Sequence, residues 1–250
     1  MQIVTKSNTG RVRPHNEDSA DASKSLRGDY LVIVADGMGG HRAGDVASSM
    51  AVSYLKEKWK TIEEAFLPST AEEWLVDTFK SANLEIFNYA QEHSECAGMG
   101  TTLVAAIVAD SFVTLAHVGD SRAYIGNKSS FSQKTNDHSL VSELVRTGQI
   151  TEDEAEGHPR KHVLLRALGT EGDIKVDVQT IGWETGGFAL LCSDGLTNKV
   201  NDNTLEKVLR SEKSLEEQAQ ELIDLANEAG GEDNITVALI NYLSLEEQGE

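Results

Sequence analysis

Three apolar runs in this chain end abruptly in an Asp–Gly or Gly–Asp pair. Val32-Ile33-Val34-Ala35 meets Asp36-Gly37, His117-Val118 meets Gly119-Asp120, and Leu190-Leu191-Cys192-Ser193 meets Asp194-Gly195. A short run rich in β-branched residues and stopped by glycine reads as a buried strand entering a tight turn. A fourth acid, Asp233, sits in Gly230-Gly231-Glu232-Asp233-Asn234 just before the apolar run 235–242, and Asn16-Glu17-Asp18 follows the first strand region. One such Asp is an ordinary turn residue. Five clusters constrain the chain much more, because strand ends converge and several carboxylates do not ionise side by side without a cation. Acidic donors of this kind, with no His or Cys among them, suit hard divalent ions, Mg²⁺ or Mn²⁺, over zinc.

The remaining periodicity supplies the frame. Ala43 to Trp59 carries Ala47, Ala51, Leu55 and Trp59 at helical spacing. A capping box, Thr70 to Glu73, is expected to open a second helix with Leu75, Phe79, Ala82, Ile86 and Tyr89 on one face. Trp59 and Trp74 read as packing between those helices. Strands broken at 109–111, 119–121 and 126–127 fill Thr101 to Gln133, with two more expected over 174–181 and 187–193. Acidic helices then present Leu205, Val208 and Leu209, followed by Leu215, Ala219, Leu222, Ile223 and Ala226, before a closing strand over 235–242. The polar stretch Asp137 to Thr170, with a Thr151 to Glu154 capping box, is too long for a plain connector and reads as an excursion over a site. Grouped strands and paired helices argue for an α+β fold with antiparallel sheets, not alternating βαβ units. No linker rich in Pro, Gly or Ser interrupts 1–250, so one domain is expected.

Composition removes other classes. With 41 acidic against 22 basic side chains the formal charge is −19, which disfavours a phosphate backbone as partner. The longest apolar run, Leu103 to Ala109, is far too short for a membrane span, and Met1 to Lys6 lacks a signal-peptide pattern. Cys96 and Cys192 make neither a disulfide framework nor a zinc site, so a reducing cytoplasm is the expected compartment. No Gly-x4-Gly-Lys-Ser/Thr loop or Cys-x5-Arg loop occurs, and no Gly-x-Gly-x-x-Gly follows a strand. One basic element stands close to the acids, Arg11-Val12-Arg13-Pro14-His15. An arginine beside a carboxylate-rich metal centre suits a phosphate, because its planar fork matches two phosphoryl oxygens; a surface salt bridge is the plainer reading.

Taken together these residues resemble the metal-dependent serine/threonine protein phosphatases of type 2C, in particular their compact bacterial members. The matching stretches are Gly10-x-x-Arg13-x-x-Asn16-Glu17-Asp18, Ala35-Asp36-Gly37-Met38-Gly39-Gly40-His41 with Ala43-Gly44, and Gly100-Thr101-Thr102. They continue through Val118 to Tyr124, Asp137-His138-Ser139-Leu140, Leu168-Gly169, Ser193-Asp194-Gly195-Leu196 and Asp233-Asn234-Ile235-Thr236.

The resemblance implies a sandwich of two antiparallel β-sheets flanked by helix pairs, with a metal centre between the sheets. It implies that Asp36 bridges two ions, that the Gly37 carbonyl holds the first, and that Asp194 and Asp233 hold the second. Asp120 with Asp194 would hold a third, weaker ion; Asp18 would act mainly through metal-bound water; Arg13 would bind the substrate phosphate. Residues 142–169 correspond to a mobile flap. The implied reaction is hydrolysis of phosphoserine and phosphothreonine in proteins by a hydroxide bridging two Mn²⁺ or Mg²⁺ ions, opposing a serine/threonine kinase, in a cytoplasmic monomer without membrane span or nucleic-acid partner. Many eukaryotic relatives carry His where this chain has Met38, which leaves the general acid open between His41 and a metal-bound water. His117 and His138 are expected to be structural, and His15 to help shape the phosphate site. A non-catalytic phosphoprotein-binding module, which would be expected to lack one or more of the aspartates, and a small-molecule phosphohydrolase are the competing functions.

Overall fold

The computed structural model describes residues 1–40 and 43–242. The chain opens with β1 (Gln2–Asn8), β2 (Asp18–Lys24) and β3 (Tyr30–Met38), then α1 (Ala43–Trp59) and α2 (Pro68–Glu92). A short 3₁₀ turn, Ser94–Cys96, leads into β4 (Gly100–Thr101), β5 (Leu103–Val108), β6 (Phe112–Val118), β7 (Arg122–Gly126) and β8 (Phe131–Gln133). After α3 (Leu140–Arg146) and α4 (Glu152–Glu156) come β9 (Asp177–Gly182), β10 (Phe188–Cys192), α5 (Asp194–Thr197), α6 (Asp202–Leu209), α7 (Leu215–Glu228) and β11 (Ile235–Asn241).

Every strand pairing is antiparallel. One sheet runs β1-β11-β10-β7-β8 and the other β2-β3-β5-β6-β9, with β4 added on β3. The two sheets face each other, and the period-2 alternation of each strand assigns its side chains to a layer. On β3, Val32 and Val34 point between the sheets with Val104, Ala106, Ala123, Leu191, Ala238 and Ile240. Leu31, Ile33 and Ala35 point the other way, onto the apolar faces of α1 and α2. On β10 and β11, Leu190, Cys192, Val237 and Leu239 pack outward against α5, α6 and α7. Covering both faces of both sheets explains why these strands read as unbroken apolar runs. Each large aliphatic side chain so buried contributes roughly 1.5–3 kcal/mol.

Helix boundaries show where local signals were right. The Thr151–Glu154 capping box forms, and so does a second one at Ser214–Glu217. The Thr70–Glu73 box does not open α2. That helix starts earlier, at Pro68, whose missing N–H costs nothing in a first turn. Thr70 lies inside the first turn, where its hydroxyl accepts the Leu67 N–H at 2.9 Å. Trp59 stacks on Phe66 with Trp74 edge-on, so the tryptophans are packing residues. The strand expected from Ile174 begins only at Asp177.

Within 142–169, α3 and α4 bury no residue, but the far end is built into the core. Leu168 exchanges both backbone hydrogen bonds with Thr101, at 3.0 and 2.8 Å, and the Gly169 N–H donates to the Asn83 side chain at 2.8 Å. Among the described residues no helix is long and apolar enough to cross a membrane.

Candidate metal centre

The register of β2 on β3 places Asp18 directly opposite Asp36. Asp194 follows β10 at the first position of α5, and Asp233 precedes β11, the strand between β10 and β1. Asp120 follows β6 in the turn toward β7. These carboxylates form one electrostatic group: burial first, then Asp18, Asp194, Asp120 and Asp233, hold the Asp36 carboxyl well above the usual range. Burial, helped by Asp194 and Asp233 against the hydroxyls of Thr236 and Ser193, pushes Asp18 up to about 7. Burial and the Asp194 and Asp137 charges push Asp120 up to about 8. Burial and Asp233 likewise raise Asp194.

Hydrogen bonds fix the frame around these acids. Ser193 donates to Asp18 Oδ2 at 2.7 Å while its own oxygen accepts the Thr236 N–H at 3.0 Å, tying β2, β10 and β11 together. Asp18 Oδ1 is buried and has no partner among the described residues. The Asp36 N–H donates to Thr102 Oγ1 at 3.0 Å, and that oxygen is 2.7 Å from the Ser121 hydroxyl. Asp194 accepts from Asn198 at 2.9 Å. The Gly37 N–H donates to the Glu17 carbonyl at 3.1 Å, and Gly37 pairs with Thr101 at the end of β3.

Two glycines permit this convergence. Gly119 has φ +105°, and a Cβ there would strike Thr102, the partner of Asp36. Gly10 has φ +79°, and a Cβ there would overlap the Asp233 carbonyl. Only glycine adopts such angles freely and leaves room for backbone at that distance.

The loop 10–16 lies over Asp233. Arg13 Nη2 donates to Asp233 Oδ2 at 2.8 Å, with the arginine side chain 48% exposed, so other guanidinium donors face solvent. Asn234 clamps this loop: its oxygen accepts the Glu17 N–H at 2.7 Å and its amide donates to the carbonyls of Thr9 and His15 at 2.9 and 3.0 Å. Sequence reasoning quoted Asn234 and Ser193 within motifs but assigned neither a task; their partners lie across the sheets. Met38 is half-buried and offers no proton, and His15 contributes its backbone carbonyl. His41 lies outside the described residues. His117 and His138 are buried and stacked 4.6 Å apart.

Residues 11–239 match the family model described as Protein phosphatase 2C. The chain belongs to this family. The serine/threonine phosphatase stp of Listeria monocytogenes is 49% identical over 240 residues, covering 96% of this chain and 95% of the relative. The crystal structure of serine/threonine phosphatase Stp1 from Staphylococcus aureus superimposes with a TM-score of 0.91 at 38% identity, over 95% of this chain and 93% of that one. A structure of the catalytic domain of the protein phosphatase PstP in complex with two manganese ions gives 0.85 at 32% identity, over 97% and 98%. The family, the sandwich of antiparallel sheets and the class of protein serine/threonine phosphatase expected from the motifs therefore hold, and membership of the protein phosphatase 2C family carries metal dependence with it.

Proposed function

We propose that this protein removes phosphate from phosphoserine and phosphothreonine in proteins, using two Mn²⁺ or Mg²⁺ ions held by Asp36, the Gly37 carbonyl, Asp194 and Asp233. A third, weaker ion belongs to Asp120 and Asp194. The observation that carries this is the group of mutually repelling carboxylates, one of which, Asp18, keeps a buried oxygen without a partner among the described residues. An oxygen-only donor set of that charge fits hard divalent cations. When bound, the ions supply Lewis-acid activation of water and neutralise charge on the phosphoryl group.

The protein's own groups do the rest. Arg13 is anchored to Asp233 through one Nη, which aims its remaining donors outward at a phosphate monoester. Asp18, pinned by Ser193, turns its free oxygen inward, where it accepts a hydrogen bond from a water and orients it. Asn234 keeps the Arg13 loop seated on the acids. Residues 142–169 form a flap subregion of a single 1–250 domain, and the supporting feature is that α3 and α4 within it bury no residue. The protein acts as a monomer in the cytoplasm, on phosphoproteins that include a cognate serine/threonine kinase.

Release of phosphate from a phosphothreonine peptide and from a small aryl phosphate, each with Mn²⁺ and with EDTA, tests this reading. Mn²⁺-dependent turnover of the peptide is expected. Turnover that survives EDTA, or is confined to the aryl phosphate, overturns it.

A further inference from the structure

Outside the carboxylate group, His117, His138 and Asp177 bring potential ligand atoms within 4.8 Å of one another. Residue types alone would suggest a transition-metal site. The hydrogen bonds argue for another task. The Gly119 N–H donates to His138 Nδ1 at 3.1 Å, so Nδ1 carries the lone pair. A neutral imidazole has one N–H, which then sits on Nε2. That nitrogen lies 3.3 Å from Asp177 Oδ2. Arg166 Nη1 donates to the other Asp177 oxygen at 2.9 Å and lies 3.1 Å from His138 Nε2, where by itself this donor would favour a lone pair. The Gly119 N–H on Nδ1 and the Asp177 carboxylate facing Nε2 both favour the Nε2–H form. The guanidinium also puts a full positive charge where an ion would sit. His117 directs its Nε2 at the Asn136 carbonyl, 2.9 Å away. Burial, with His117 and Arg166 beside it, lowers His138 to about 4, so the ring is neutral at physiological pH.

The same residue grips the turn before β7 twice. The His138 N–H donates to the Gly119 carbonyl at 3.0 Å, and the ring accepts the Gly119 N–H in return. Asp120 is the next residue, at the tip of that turn. The His138 carbonyl also accepts the Leu165 N–H at 2.7 Å, joining the turn to the end of the 142–169 segment.

We propose that His138 is a positioning residue for Asp120: Asp177 and the Gly119 N–H together fix its tautomer against Arg166, and the Nδ1 lone pair holds the Gly119–Asp120 turn toward the outer cation. This rests on Asp120 being a ligand of that cation. With the opposite tautomer, Nδ1–H would confront the Gly119 N–H, and the turn would lose its side-chain anchor.

Three variants of the intact chain separate this role from simple packing. His138→Leu removes both ring nitrogens, His138→Asn keeps an acceptor at the δ position, and Asp120→Asn is the reference. In calorimetric titration with Mn²⁺, His138→Leu is expected to weaken the weakest binding event by about tenfold, as loss of an outer-shell partner does. The tighter events stay unchanged, and His138→Asn recovers most of the loss. A folded His138→Leu protein with an unchanged weak event, or a His138→Asn protein as impaired as it, overturns the proposal. If Asp120→Asn itself leaves the weak event intact, the third-ion reading fails, and amide exchange decides the role of His138. Exchange at Gly119 should then quicken by about tenfold in His138→Leu and not in His138→Asn; unchanged exchange overturns the proposal. Should His138→Leu not fold, Asp177→Leu, which frees the ring proton to move, takes its place with the same two outcomes.

Discussion

Asp18 and Asp36 face each other across the antiparallel β2–β3 pair. Directly opposed side chains on one face have Cβ atoms about 4.5–5.5 Å apart, and like charges there repel. The metal-free protein therefore carries a strain that its cations relieve. Asp36→Asn should raise the thermal midpoint in EDTA by about 2–4 °C, the shift that roughly 1 kcal/mol produces in a domain of this size. The same variant, like Asp194→Ala and Asp233→Ala, should lose Mn²⁺-dependent phosphatase activity by about a hundredfold or more. A midpoint that falls in EDTA would show that the pair is held by hydrogen bonds and not opposed by charge.

The raised carboxylates give a pH dependence with a defined sign. Asp18 at about 7 and Asp120 at about 8 stand above the ordinary 3.8, so between those values the folded protein keeps protons that the unfolded chain has released. Stability of the metal-free protein then falls as pH rises. His138, lowered from 6.5 to about 4, acts in the opposite direction but only below pH 6.5. From pH 6.5 to 8 the carboxylates act alone. The thermal midpoint in EDTA should fall over that window, and Mn²⁺ should raise it most at pH 8, releasing protons on binding when followed in weakly buffered solution. A midpoint that climbs through the window would contradict the assignment.

Arg13→Ala should weaken substrate capture while leaving Mn²⁺ affinity nearly unchanged. A charge-assisted pair with phosphate contributes about 1.5–3 kcal/mol, or roughly ten- to a hundredfold in kcat/KM. Arg13→Lys should recover only part of this, since the fork is lost. Steady-state kinetics on a phosphothreonine peptide check both; a fully active lysine variant would reduce the contact to a point charge.

Arg122 and Asp137 form a two-pronged ion pair at 2.7–3.1 Å beside the Asp120 turn, with side chains 28% and 12% exposed. Arg122 continues to the Tyr124 hydroxyl, which donates to Asp202 at the start of α6. Asp137→Ala should cost about 3 kcal/mol, the low end for removing one partner of a buried pair, because some solvent reaches the arginine. Urea denaturation with an unchanged slope measures it. A loss below about 1 kcal/mol would place the pair with ordinary surface salt bridges.

Local pattern alone determined the strands that lead into Asp120 and Asp194, the apolar faces of α1, α6 and α7, and the Thr151–Glu154 cap. These depend on alternation, helical spacing and turn chemistry within a few residues. The motif order added the family and the sandwich. Local pattern ended β3 too early: that strand carries Asp36 and Gly37 on to Met38, because Gly37 and Met38 still find partners in β4. It misplaced the start of α2, because Pro68 and Thr70 are both acceptable first-turn residues and only packing chooses between them. What the tertiary structure decided is the company those acids keep. Ser193 reaches Asp18, Arg13 reaches Asp233, and His138 finds Gly119 and Asp177 through separations that no window of sequence spans. Those pairings follow from the register of whole strands and the stacking of two sheets. Register is set by burying both sheet faces at once, a property of the assembled core and not of any one segment.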